Sequence, residues 1–275
     1  MNDPLAPLME HASLDIVMFD VHSRTEMNYR DRIFETTYCM SYNKEGTANL
    51  RIGDQLYLIK PGSVMFMPPG VIHDQYKDSS ETSVFLWWIF SFRIAGAIDV
   101  LDLFDIPYVY PLRNRERFEK VFEDYFMASS PSTEGWAKVL LRRAKSLELL
   151  YYLLEDAMAY GNAGRFGSKS LPFIELANRI LQHPEQDIRL EEAARDLHFN
   201  PTHLSNRFKA LFGIAPVQLQ KRLKIERAKQ LLLSSGSLPI SEIARHMGFD
   251  EPQNFTRLFK NHTGMSPLQY RKLHS

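Results

Sequence analysis

The chain has 275 residues, more than one typical domain, so two or three structural units are expected. Its hydrophobic content of 44% excludes wholesale disorder, and its longest uninterrupted apolar stretch, Val84 to Phe90, is far too short to span a bilayer, so no membrane partner is expected. Lys and Arg together balance Asp and Glu at 33 each, but unevenly: residues 171–275 hold 15 basic against 10 acidic, and the other 170 hold 18 against 23. That asymmetry suits a nucleic-acid module joined to one that does not touch nucleic acid.

The acidic start, MNDPLAPLME, lacks a signal-peptide layout, and residues 1 to about 20 read as a loose arm. The single cysteine, Cys39, cannot form an internal disulfide, so the expected compartment is the cytoplasm. From about Met27 to Phe92, short runs of Tyr, Phe, Val, Ile and Thr alternate with turn formers at Asn43–Gly46, Gly53–Asp54, Lys60–Gly62, Pro68–Gly70 and Asp78–Ser80. Turns this frequent mean antiparallel strands, hence a barrel or sandwich. From about Asn114 the period becomes helical. Phe118, Val121, Phe122 and Tyr125 form one stripe, and Val139, Leu140, Ala144, Leu147, Leu150, Tyr151 and Leu154 a longer one. The glycine- and serine-rich segment 161–170 reads as a flexible linker, and everything beyond Leu171 as helix. The expected division is 1–112 for the strand domain with its arm, 113–160 for a helical pair, 161–170 for the linker and 171–275 for an all-α domain.

The all-α third contains one pattern twice. Ala194-x4-Phe199, then Phe208, Gly213 and Pro216, recurs as Ala244-x4-Phe249, then Phe259, Gly264 and Pro267. Each copy has the layout of a helix-turn-helix. In the first, Leu190, Ala193, Ala194 and Leu197 stripe a short helix. Asn200 then caps a second, with Pro201 at its first position and Leu204, Phe208, Leu211 and Phe212 on its buried side. In the second copy Ile240, Ile243, Ala244 and Met247 form the stripe, and Gly248 ends that helix with positive φ. Glu251-Pro252 starts the next helix, which buries Phe255, Leu258 and Phe259. Between the copies, Val217 to Ser234 reads as one helix with Lys221, Arg222, Lys224, Arg227 and Lys229 on its polar side. About 16 helical residues would make a strut of about 24 Å, to be compared with about 34 Å for one DNA turn.

The run Ile243-Ala244-x3-Gly248-Phe249-x5-Phe255-x-Arg257-x-Phe259-Lys260-x3-Gly264-x-Ser266-Pro267-x2-Tyr270-Arg271 resembles the signature of the AraC family of bacterial transcription regulators. Arg222-x4-Arg227-Ala228-x2-Leu231-Leu232 resembles that family's linker helix. The resemblance covers about 100 residues. It implies that Thr202, Ser205 and Asn206 in the first unit, and Gln253, Asn254 and Arg257 in the second, face the bases of double-stranded DNA, with Lys209 and Lys260 beside them. Amides and Arg suit bidentate bonds to adenine and guanine edges. The first set is small and polar, which leaves open whether that unit reads bases or grips phosphate. Arg257 has the alternative of pairing with Asp250 or Glu251.

Gly62-x5-Pro68-x-Gly70-x2-His73 resembles the second half-motif of cupin barrels. Cupin enzymes commonly add a His-x-His, which this chain lacks. Before residue 180 its other histidines are His11 and His22, too few for a tight metal site, so no metal, cofactor or enzymatic activity is expected. Lys77 stands where that motif usually ends in Asn. AraC-family members with such a barrel use it to bind a small effector. Sugar-responsive members are similar to this chain in the turn Pro68-Pro69-Gly70-Val71-Ile72-His73 and in a Trp some 15 residues later, Trp88 or Trp87. The candidate effector-binding residues are therefore Arg30, Arg32, Tyr42, His73 and Trp88. Core roles for the tryptophans and for His73 stay open. The fold expected is multi-domain α+β: a cupin-like antiparallel β-barrel with a helical dimerisation pair, then an all-α domain with two helix-turn-helix units. The resemblance implies a ligand-responsive activator of a carbohydrate or small-molecule catabolic operon. Its expected partners are DNA, an effector such as a sugar, a second copy of itself and RNA polymerase. The alternative is a DNA-binding regulator whose barrel only dimerises or docks a partner.

Overall fold

The computed structural model describes residues 4–129, 135–160, 170–234 and 238–274. The chain divides into two compact units, one of Leu14–Phe92 with Phe104–Arg165, the other of Met1–Ser13, Arg93–Leu103 and Phe166–Ser275. The expected linker lies outside the described residues except for Ser170. Among the described residues no helix is long and apolar enough to cross a membrane.

The chain opens with helix α1 (Ala6–Glu10) and strand β1 (Ala12–Arg24), so the expected loose arm is largely a strand. Alternation runs only through Leu14 and Ile16 before Val17, Met18 and Phe19 break it, which hid the strand from a period-2 reading. There follow β2 (Asn28–Arg32), β3 (Tyr38–Glu45), β4 (Ala48–Ile52), β5 (Gln55–Ile59), β6 (Ser63–Met67), β7 (His73–Tyr76), β8 (Ser83–Ile94), the short β9 (Ile98–Asp99) and β10 (Val109–Pro111). Four of the five turn clusters fall between consecutive strands from β4 to β8; the first overlaps the end of β3, which runs to Glu45 and leaves Gly46 in the turn. The strands form two antiparallel sheets, one ordered β1-β8-β3-β6-β10 with β9 on β8, the other β2-β7-β4-β5. Both supply the core between them: Cys39, Met65, Met67 and Phe85 from the first meet Ala48, Leu50 and Ile59 from the second. Lys77 replaces the expected Asn by donating from Nζ to Thr47 O at 3.0 Å and to the Ser83 hydroxyl, which ties the β3–β4 turn to the start of β8.

The first sheet's other face is covered by helix α2 (Arg115–Ala128), which buries Phe118, Val121, Phe122 and Tyr125 as their spacing requires. Trp88 stacks on Phe118, and Tyr42 meets the same ring edge-on. Helix α3 (Trp136–Tyr160) packs on α2, and Tyr110 Oη donates to Leu153 O at 3.2 Å. The expected apolar stripe of α3 divides. Leu150 is buried, whereas Val139, Leu140, Leu147 and Tyr151 are 40–57% exposed. The cause is the face: Ser146, Leu149, Leu150, Leu153 and Ala157 form the buried side, and Leu147 and Tyr151 lie beside it in the same turns, a second apolar face left largely uncovered among the described residues.

In the helical unit, α4 (Leu171–Gln182) carries α1 on its flank, with Asn178 Nδ2 donating to Pro4 O at 2.9 Å. The first helix-turn-helix is α5 (Leu190–Asp196) and α6 (Pro201–Phe212). The helix α7 (Pro216–Ser234) connects it to the second, α8 (Ile240–His246) and α9 (Pro252–Thr263), and α10 (Pro267–His274) follows. Asn200 caps α6 as expected, its side chain accepting from Thr202 N at 2.9 Å. Both turns close identically. Phe199 N donates to Ala194 O at 2.7 Å and His198 N to Arg195 O at 3.1 Å; Phe249 N donates to Ala244 O at 3.0 Å and Gly248 N to Arg245 O at 2.9 Å. This is the Schellman arrangement, which needs one left-handed residue. Gly248 supplies it at φ 75°, whereas in the first copy it falls to His198 at φ 57°.

Helix α7 departs from the expected polar stripe at Lys224, which is 3% exposed. Its Nζ pairs with Asp187 Oδ1 at 2.6 Å and lies 4.9 Å from the centre of the Phe249 ring, so one buried ammonium joins the segment before α5 to the turn of the second unit. One turn earlier, Gln220 Nε2 donates to Pro184 O at 3.1 Å and to Gln186 O, and its Oε1 accepts from Ile188 N at 3.3 Å. The far half of α7 (Ile225, Ala228, Leu232) belongs to the core of the second unit, with Ile243, Ala244, Phe255 and Phe259.

Four stability outcomes follow from the backbone geometry and these contacts. A Cβ at Gly248 would meet Glu185 O at 2.1 Å, whereas at Gly264 it would meet nothing within 4 Å. Gly264→Ala therefore costs about 1–2 kcal/mol of left-handed strain, and Gly248→Ala clearly more. His198→Gly, at an exposed site, gains about 0.5–1 kcal/mol. Gln220→Leu strands three backbone groups and costs about 3 kcal/mol. Urea denaturation of the four variants checks the order.

Candidate nucleic-acid interface and ligand cavity

Helices α6 and α9 each sort their residues onto two sides. Leu204, Phe208 and Phe212 are the buried side of α6, and Phe255 and Phe259 that of α9. Thr202, Asn206 and Lys209 are exposed on α6, with Ser205 half-buried; Gln253, Asn254, Arg257 and Lys260 are all exposed on α9. The expected DNA-facing residues thus share the open side of their helix in each unit. Arg257 Nη2 donates to Asn254 Oδ1 at 3.2 Å rather than pairing with Asp250 or Glu251. The amide orients the guanidinium and leaves its other N–H groups outward, the form in which Arg reads a guanine edge. Neither α6 nor α9 has an acidic residue in its first turn; α6 is capped by the neutral Asn200, whereas α9 has Glu251 at its N-cap, so the amino end of α6 is the more open to an anion.

In the β unit a cavity of about 50 Å3 opens beside the core, several times the 10–15 Å3 or so that one water needs. Strand parity decides what enters it. On β8, Phe85, Trp87 and Ile89 face the second sheet while Leu86, Trp88 and Phe90 face away, so Trp87 lines the cavity and Trp88 is core against α2. Register places Ser41 of β3 directly across from Trp87, and Ser41 lines the cavity too. On β2 the register slips between Tyr29 and Arg32. Asp31 takes φ 48° there, and its N–H donates to Asp74 Oδ1 at 3.0 Å. Arg30 turns to the same carboxylate, Nη1 to Oδ2 at 3.0 Å. The extra residue restores the inward direction at Arg32, so Tyr29 and Arg32 both line the cavity despite their odd spacing. The two bonds hold the Asp74 carboxyl below its usual range, the Asp31 N–H first and then Arg30.

Of the five expected effector residues, Arg32 alone lines this cavity. Arg30 is committed to Asp74 outside it. Tyr42 donates to Glu119 Oε1 at 2.7 Å under α2. His73 is buried and stacked on Phe34; its Nδ1 faces Val71 O at 3.1 Å, its Nε2 has no partner, and burial pushes its pKa down, which keeps the ring neutral. Sequence reasoning missed His22 and Arg24, because β1 was not foreseen, and also Gln75; between Trp88 and Trp87 it left the register open, and Trp87 is the one that lines the cavity. For Trp87 the signal was available: Phe85, Trp87 and Ile89 alternate with a second apolar set. The indole Nε1 of Trp87 is buried without a hydrogen-bond partner, while its ring lies 4.9 Å from that of His22.

Two helix-turn-helix units joined by one helix, with a separate two-sheet domain enclosing a cavity, define a DNA-binding transcription regulator that carries a ligand-binding domain. Residues 17–153 match the family described as AraC-like ligand binding domain, and residues 193–273 match a helix-turn-helix domain family. The chain belongs to the AraC family of transcription regulators. It is 25% identical over 259 residues to the HTH-type transcriptional regulator YisR of Bacillus subtilis, covering 88% of each chain. It is 24% identical over 280 residues to the arabinose operon regulatory protein of Salmonella typhimurium, 98% of this chain and 97% of that one. With the raffinose operon transcriptional regulatory protein RafR of Pediococcus pentosaceus it shares 23% over 250 residues, 89% and 88% of the two chains.

Arg257→Ala is expected to weaken binding to a selected operator by about 1–3 kcal/mol, the worth of one bidentate base contact. Gel shifts on that operator and on random duplex check it; an equal loss on both would make Arg257 a phosphate contact.

Proposed function

We propose that this regulator is a cytoplasmic, effector-responsive activator of an operon for the use of a carbohydrate or other small molecule, acting as a homodimer on repeated DNA sites and through contact with RNA polymerase. The observation that carries the ligand response is the cavity itself: a buried indole N–H with no acceptor, beside polar groups that a small molecule would satisfy. A buried unpaired donor costs about 1–3 kcal/mol, and a bound ligand relieves that cost. Relatives named as regulators of arabinose and raffinose operons support the carbohydrate assignment. The reading of α6 and α9 as recognition helices rests on Thr202, Ser205, Asn206 and Lys209 and on Gln253, Asn254, Arg257 and Lys260. The small size of the cavity favours a second reading, in which the β unit only dimerises or docks a partner. A thermal-shift screen of sugars and organic acids separates the two, since a site-specific ligand raises the melting temperature by mass action.

The dimer claim rests on α3. Trp136, Leu140, Ala144, Leu147, Tyr151, Leu154 and Met158 repeat at spacings of three and four, the seam of a coiled coil, and Trp136, Leu140, Leu147 and Tyr151 are exposed. A second copy of the same helix would cover them. Leu147→Glu, at a position that packs on nothing in its own chain's core, is expected to leave the fold intact and turn the dimer into a monomer. Sedimentation equilibrium at micromolar concentration decides it; a wild-type chain that is already monomeric would overturn the dimer.

A further inference from the structure

The charge inside the cavity goes beyond a generic ligand site. His22, Arg24 and Arg32 line it, and no carboxylate does. His22 has Asp20 at 3.3 Å. Asp74, the acid nearest in the β2–β7 register, is taken on the outer face by Arg30 and the Asp31 N–H. Arg32 rests on aromatic rings, its guanidinium carbon 5.0 Å from the Tyr29 ring centre and 4.8 Å from that of Phe34. Among the described residues Arg24 and Arg32 have no acidic partner. A neutral ligand closing over them would strip water from guanidinium charge and return no counter-charge, a costly exchange. A carboxylate would return it, with the bidentate geometry Arg favours. The other hydrogen-bonding groups of the lining are polar and uncharged. Ser41 and Gln75 are each 5% exposed, and Trp87 Nε1 is an unmet donor that calls for a hydroxyl or ring oxygen. The Trp87 face and Met65 supply an apolar floor.

We propose that the cavity takes a small hydroxylated carboxylate, of the class of sugar acids, with its carboxylate on Arg24 and Arg32 and its hydroxyls on Trp87, Ser41 and Gln75. This rests on the reading of the cavity as the effector site.

Calorimetry on the full chain at fixed ionic strength, with D-glucuronate, D-galacturonate and L-arabinonate against D-glucose, D-galactose and L-arabinose, tests it. At least one acid binds saturably, at least about tenfold tighter than its neutral parent. Arg32→Gln removes that preference, Arg32→Lys keeps part of it, and Arg30→Gln, outside the cavity, leaves it unchanged. Should Arg32→Gln fail to fold by circular dichroism, Arg24→Gln at its exposed position carries the same expectation. A neutral parent that binds as tightly as its acid overturns the proposal and leaves the effector reading standing, provided Trp87→Phe weakens that binding. Equal losses in Arg30→Gln and Arg32→Gln make the attraction diffuse and overturn the site. No saturable binding by any of the six removes both the proposal and its support for a small-molecule effector.

Discussion

Two polar side chains buried on one helix hold the DNA-binding half together. A tandem of helix-turn-helix units needs something to stop each copy turning against the other, and apolar packing alone slides. Gln220 and Lys224 are directional: the amide takes two carbonyls and one N–H of the segment at 184–188, and the ammonium takes Asp187 while resting on Phe249. The Lys224 side chain is 4% exposed and that of Asp187 is 74% exposed, so the pair has one dry end and one wet end. Such a pair avoids most of the desolvation cost of burying both charges. Its value lies in geometry: the segment at 184–188 is tied to α7 by directional bonds, and the same ammonium rests on the turn of the second unit. An α7 of 19 residues, about 28 Å, then sets the spacing of the two helix-turn-helix units.

In the β unit the corresponding constraint is the period of two. It sends β8 in two directions, one tryptophan to the helix-covered face and its neighbour to the cavity, so adjacent identical residues serve different ends. A break in that rule separates Arg30 from its near neighbour Arg32: strict alternation would put both on one face, and the irregular Asp31 between them turns Arg32 inward.

Much of the helical half was legible in the sequence because its signals are local. Asn200-Pro201, Gly248 and the Leu and Phe stripes each carry their structural reason within a few residues. Lys224 was misassigned because a periodic pattern treats every cation as outward; its burial depends on Asp187 and Phe249, both distant in the chain. The helix α3 reading failed in a complementary way: its stripe was found, but a stripe does not say whether its partner lies in the same chain. The five β turns were found from composition, whereas β1 was missed because its alternation is broken after Ile16. Cavity residues were hardest. They depend on register and on a bulge, and no short window of residues displays either.

The bulge at Asp31 buffers chain length. Tyr29 pairs with Gln75 and Arg32 with His73, three residues on one strand against two on its partner, so the irregular residue absorbs the extra one and Arg32 keeps the inward direction it would have two residues after Tyr29 in a regular strand. Deleting Asp31 would therefore leave the guanidinium facing the cavity and remove the N–H that Asp74 accepts. Within a lineage of such proteins, a one-residue change of length at this point costs the sheet edge a hydrogen bond and leaves the charge of the cavity in place.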